Sequence, residues 1–118
     1  MHNNLLKQLM KEAADINAKK LPASATFLLR NLLEALLKHI IEQSNANPSK
    51  ASLSLEGALA LCKSNSVPLG TNDKKVLKDF EKSHLDYVNL GAHGNLVPHP
   101  DRVFQIRDGL DEFIRKNI

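Results

Sequence analysis

Residues 22–43, PASATFLLRNLLEALLKHIIEQ, constrain the fold more than any other part of the chain. At helical pitch, Phe27, Leu28, Leu29, Leu32, Leu33, Leu36, Leu37, Ile40 and Ile41 leave only a narrow polar stripe. A helix that is apolar around most of its circumference has to be covered on several sides, which places it in the middle of a helical bundle. Pro22 suits the first turn, where its missing amide proton would go unpaired in any case. The polar stripe is Arg30, Glu34 and Lys38, each four residues from the next and able to pair in series. Two readings of it stay open. It is either a solvated edge, or a line hemmed in by flanking apolar surface that forms the polar lining of a cleft.

The remaining segments supply the covering helices. Leu5, Leu6, Leu9, Met10, Ala13 and Ile16 recur at helical spacing and predict an amphipathic helix from about Asn3 to Lys19, ended by the Pro22 that follows KKL. SNANPSKAS reads as a loop, after which Ser52 or Ser54 caps a short helix with Leu55, Leu59 and Cys62 on one face. After KSNSVPLG, Thr71 is the expected cap of a helix with Asp73 in its first turn and Val76, Leu77, Phe80, His84, Tyr87 and Val88 along one side. Pro100 and Asp101 open the last helix, which buries Val103, Phe104, Ile106, Leu110, Phe113 and Ile114. No segment sustains the alternation of a strand. The expectation is an all-α bundle of four to five helices in one domain over residues 1–118, either a whole protein or a piece of a longer one.

Several function classes drop out on the residues present. Arg30, Glu34 and Lys38 interrupt the longest apolar stretch, so it cannot span a bilayer. The lone Cys62 excludes an internal disulfide and suits a reducing, cytoplasmic setting. The five histidines are scattered, with no paired His or Cys spacing, so no metal site and no cofactor is expected. There is no phosphate-binding glycine loop, nucleophile elbow or dinucleotide fingerprint. The formal charge of +3 permits a polyanionic partner without demanding one.

What remains is the stretch HLDYVNLGAHGNLVPHPDR, His84 to Arg102. Its plain reading is a helix ended by Gly91 and Gly94 in left-handed conformations, leaving His93 near a helix C-terminus. Its sharper reading makes His93 a proton-transfer group, since an imidazole titrates near neutrality. The run YVNLGAHG resembles the signature of the HEPN superfamily, helical domains common in prokaryotic toxin, defence and RNA-processing proteins. There an Arg, usually followed by a polar residue, stands a short fixed distance before a His. Asn89, Ala92, His93 and Gly94 match, and LPASATFLLRNLLEALLKHI is similar to the second helix of that group. The departure is Val88, where active members carry Arg.

The resemblance implies a helical bundle, a homodimer and an association with RNA. It also implies metal-independent cleavage where the motif is complete. Such cleavage needs a base, an acid and a fixed cation for the phosphorane, and valine supplies none of these. The favoured expectation is therefore a degenerate, non-catalytic HEPN-like module, nucleic-acid-associated or an interaction domain, in a defence, toxin–antitoxin or restriction setting. Two alternatives stand beside it. One is a working ribonuclease using His93 with Arg30 or Arg102 as the cation; the other is a pure protein–protein dimerisation module. The candidate catalytic residues are His93 and Arg30, and the candidate binding residues are Glu34, Asn89 and Arg102. Restoring Arg at position 88 is the corresponding gain-of-function test, provided the cleft survives.

Overall fold

The computed structural model describes residues 8, 22–44, 54–64, 67–92, 94 and 96–117. The helix expected over 3–19 lies outside these residues apart from Gln8, which is helical, and so do Ser52 and His93. Five helices are described: α1 (Pro22–Ser44), α2 (Leu55–Lys63), α3 (Thr71–Ser83), α4 (Leu85–Ala92) and α5 (Pro100–Asn117). No strand occurs among the described residues. The protein is an all-α bundle.

Helix α1 takes the central position that its composition requires. It packs against α2, α4 and α5, while α3 closes the far side against the same three helices. Leu32, Leu33, Leu36, Leu37 and Ile41 of α1 join Leu55, Leu59 and Cys62 of α2, Leu77 and Phe80 of α3, Val88 of α4 and Ile106, Leu110 and Phe113 of α5 in one buried cluster. Burial pushes the Cys62 thiol up to about 12, so this sulfur behaves as a small apolar side chain and not as a nucleophile. Phe27 breaks the pattern: it is 50% exposed.

The helix starts follow local chemistry, with one correction. Ser54 caps α2, its hydroxyl accepting the Gly57 amide at 3.1 Å. Thr71, expected as the cap of α3, is instead its first helical residue. Gly70 holds the extended cap conformation, and its carbonyl accepts the Lys74 amide at 3.0 Å. Asp73 is then on the third helical position, 6% exposed, with Lys116 Nζ 3.3 Å from its carboxylate. A lysine from the last turn of α5 thus meets a carboxylate in the first turn of α3, where the helix dipole favours an anion.

A second correction concerns the apolar line from Val76 to Val88, which reads as one helix and is two. The backbone bends at His84, with φ −131° and ψ −19°. The ladder does continue through His84, whose amide donates to Phe80 O at 2.8 Å and whose carbonyl accepts from the Val88 amide at 2.9 Å. The Ser83 carbonyl is turned out of it and accepts instead from Arg102 Nη2 of α5 at 2.7 Å. A side chain entering the backbone ladder is a recognised cause of a sharp bend.

Glycine placement corrects a third expectation. Of these two glycines only Gly94 has a positive φ, +76°, while Gly91 is inside α4 and helical. Gly91 is small for another reason. A Cβ there would lie 2.8 Å from Pro98 Cγ and 3.1 Å from Thr26 Cγ2, so the glycine lets α4 close onto the start of α1.

Candidate functional site

The polar stripe of α1 faces α4, and the first candidates meet there. Arg30 Nε donates to Asn89 Oδ1 at 2.9 Å, joining residues 59 positions apart in sequence. Arg30 Nη1 lies 3.5 Å from Glu34 Oε2, and Lys38 Nζ lies 3.6 Å from Glu34 Oε1. The Arg30 and Glu34 side chains are 16% and 23% exposed, so the hemmed-in reading describes them better than the solvated one. Asn89 completes a bridge, its Nδ2 donating to Glu56 Oε1 on α2 at 2.7 Å.

Sequence reasoning missed Glu56. Its local signal is a carboxylate in the first turn after a serine cap, and nothing in the sequence links that to position 89. Its own backbone amide holds the Glu56 carboxyl below the usual glutamate range; the Asn89 amide, Ser54 and the Arg30 charge add to this, against some desolvation. Two cations and two carboxylates thus meet across three helices. The charges balance, leaving little surplus field for an incoming phosphate.

Position 88 faces the other way. Val88 is 0% exposed and belongs to the core cluster with Leu77 and Phe80. Successive residues of a helix point about 100° apart, so Val88 enters the core while Asn89 meets Arg30. An arginine built at 88 would begin among leucines.

Arg102, the other candidate, belongs to a separate cluster. Its guanidinium stacks over the Tyr87 ring at 4.6 Å, donates to Ser83 O and lies 3.2 Å from His84 Nδ1. Burial first, and the Arg102 charge second, lower the His84 pKa below its usual value. Tyr87 in turn accepts the His99 amide on its hydroxyl at 2.7 Å. The His99 ring caps α5, Nδ1 accepting the Asp101 amide at 3.1 Å. Arg102 is held by the helix bend, away from Arg30. Among the described residues, no group of three or more His, Cys, Asp or Glu side chains is placed to hold a metal ion.

The structure therefore brings Arg30, Glu34 and Asn89 together and leaves Arg102 apart, while His93 lies outside the described residues. No described helix is long and apolar enough to cross a membrane. No family model matches the sequence, and neither curated proteins nor solved structures give a match.

Proposed function

We propose that this chain is a non-catalytic, HEPN-like helical module that associates with RNA as a homodimer, in a prokaryotic defence, toxin–antitoxin or restriction setting. One observation carries the non-catalytic part. The position at which the resembling motif needs a cation is a valine fully buried in the hydrophobic core. A phosphorane requires a preorganised positive charge, and losing one such group costs about 10²–10³ in rate. The cation that reaches the neighbouring Asn89, Arg30, is already committed to it and to Glu34. The homodimer follows from the resemblance; among the described residues, the large apolar side chains left exposed are Phe27, Leu90 and Val97.

The test is incubation of metal-free protein with labelled RNA in chelator. The expected result is no cleavage above the blank, unchanged by His93→Ala. Sedimentation at micromolar concentration checks the assembly, for which a monomer of 13.1 kDa is the adverse outcome.

A second reading has one specific observation in its favour. Arg30 Nε reaches Asn89, one helical turn before the motif histidine in sequence, so a guanidinium stands beside the motif after all. Robust cleavage lost in both His93→Ala and Arg30→Ala would replace the first reading with a ribonuclease whose cation comes from α1.

A further inference from the structure

Charge is disposed differently on α3 and α5. On α3, Lys75, Lys78 and Lys82 recur at three- and four-residue steps, which puts them along one side of the helix. All three are exposed, and among the described residues none has a hydrogen bond or ion pair. The acids of α3 do little to offset them. Asp73 is taken by Lys116 of α5 and Glu81 by Lys63 of α2, which leaves Asp79. On α5, by contrast, the exposed Arg115 is matched by Asp111, both Arg115 Nε contacts being 2.9 Å.

We propose that the outer face of α3 is a backbone-tracking surface for single-stranded RNA, with Lys75, Lys78 and Lys82 each neutralising a phosphate. The inference rests on the RNA-associated reading above but assigns the contact to a different surface from the Arg30–Asn89 cluster. The backbone positions of the three lysines rise along the helix by about 4.5 Å and then about 6 Å, and each carries a point charge on a flexible stem able to reach successive phosphates of a strand. A membrane fits less well. The exposed residues beside the lysines are Thr71, Asn72, Asp79 and Ser83, so the face offers no apolar side chain to enter a bilayer. The Arg30–Asn89 cluster fits no better, since its cations are paired with carboxylates.

The experiment is fluorescence anisotropy of the full chain against labelled oligouridylate, titrated across a range of potassium chloride concentrations. Each neutralised phosphate on a single strand contributes about 0.7 to the slope of log K against log salt. The variant Lys75→Gln/Lys78→Gln/Lys82→Gln should lose about 2 from that slope and weaken binding roughly a hundredfold at about 0.1 M salt. Its thermal midpoint should stay close to wild type, because the three side chains are exposed. Lys75→Arg/Lys78→Arg/Lys82→Arg should keep both slope and affinity. Arg107→Gln/Arg115→Gln, which removes charge from α5, should leave the slope in place.

Binding by wild type that is unchanged in the triple glutamine variant would overturn the α3 assignment and leave the RNA-associated reading standing. Loss in proportion to charge removed, wherever it is removed, would reduce the surface to net charge and also overturn it. Absence of RNA binding by wild type, or binding only to anionic phospholipid vesicles, would overturn both.

Discussion

Two arginines flank the α4 region, and they are held by opposite kinds of partner. Arg30, on the α1 side, meets the Glu34 carboxylate and the Asn89 amide, in a cluster where two cations, Arg30 and Lys38, are balanced by two carboxylates, Glu34 and Glu56. Arg102, on the α5 side, is held by a backbone carbonyl, a neutral imidazole nitrogen and an aromatic face. The first cation is neutralised by side chains; the second satisfies a carbonyl that a helix bend set free. Between them stands Val88 in the dry core. Basic residues near a motif can thus be spent on architecture, and only their partners distinguish that use from readiness for a ligand.

The largest effect is expected from a third arginine placed between the two. Val88→Arg would bury a guanidinium where neither carboxylate nor carbonyl awaits it, and a cost of more than about 4 kcal/mol is expected. Urea unfolding should show a largely unfolded or aggregated variant with no gain of nuclease activity. A folded Val88→Arg protein that cleaves RNA in a His93-dependent manner would show that position 88 can turn outward, and the contrast would fail.

Glu34→Ala and Arg102→Ala separate the two kinds of partner. Removing Glu34 leaves a partly buried Arg30 with only Asn89, and about 1–3 kcal/mol should be lost, between the values of exposed and fully buried pairs. Arg102→Ala forfeits a charge-assisted bond to an exposed carbonyl and the stacking on Tyr87, about 1–2 kcal/mol. Salt separates the two. The Glu34 penalty should shrink as ionic strength rises, because it is a charge–charge term, while the Arg102 penalty should hold. Equal salt dependence in both unfolding series would mean that the two arginines are held by the same kind of interaction.

The smallest effect is in acid. The His84 pKa is lowered on folding, so its contribution is fully present above about 6.5, the unfolded value, and is lost as pH falls through the lower folded value, because the unfolded chain binds the proton first. Glu56 is depressed as well, and its contribution is lost later, as pH falls from about 4.5 through the lower folded value. Thermal midpoints should therefore decline in two waves, the first from the Arg102 side and the second from the Arg30 side. Arg102→Ala should flatten the first wave by removing the repelling charge, and an unchanged first wave would remove Arg102 from its cause.

The helices themselves were legible because their signals are local. The leucine-rich run of 22–43 demanded a covered, central helix, a serine at 52 or 54 announced a cap and Pro100 a start, and each depends only on neighbours within a turn or two. The hemmed-in character of Arg30 and Glu34 was also within reach, since the apolar residues on both sides come from the same helix. The partners were not. Asn89 and Glu56 meet Arg30 through packing of α4 and α2 on α1, and helix rotation is set by long-range burial rather than by any spacing. The bend at His84 was invisible for the same reason: the apolar line runs straight through it, and Arg102, nineteen residues beyond Ser83, enters the ladder from another helix. Gly91 reads as a helix terminator by residue type, yet Thr26 and Pro98 decide that it is a contact point. Local propensity and periodicity determined which residues are helical and which faces are apolar. Tertiary packing alone decided which way Val88 and Asn89 point, and therefore whether a cation could stand where the motif asks for one.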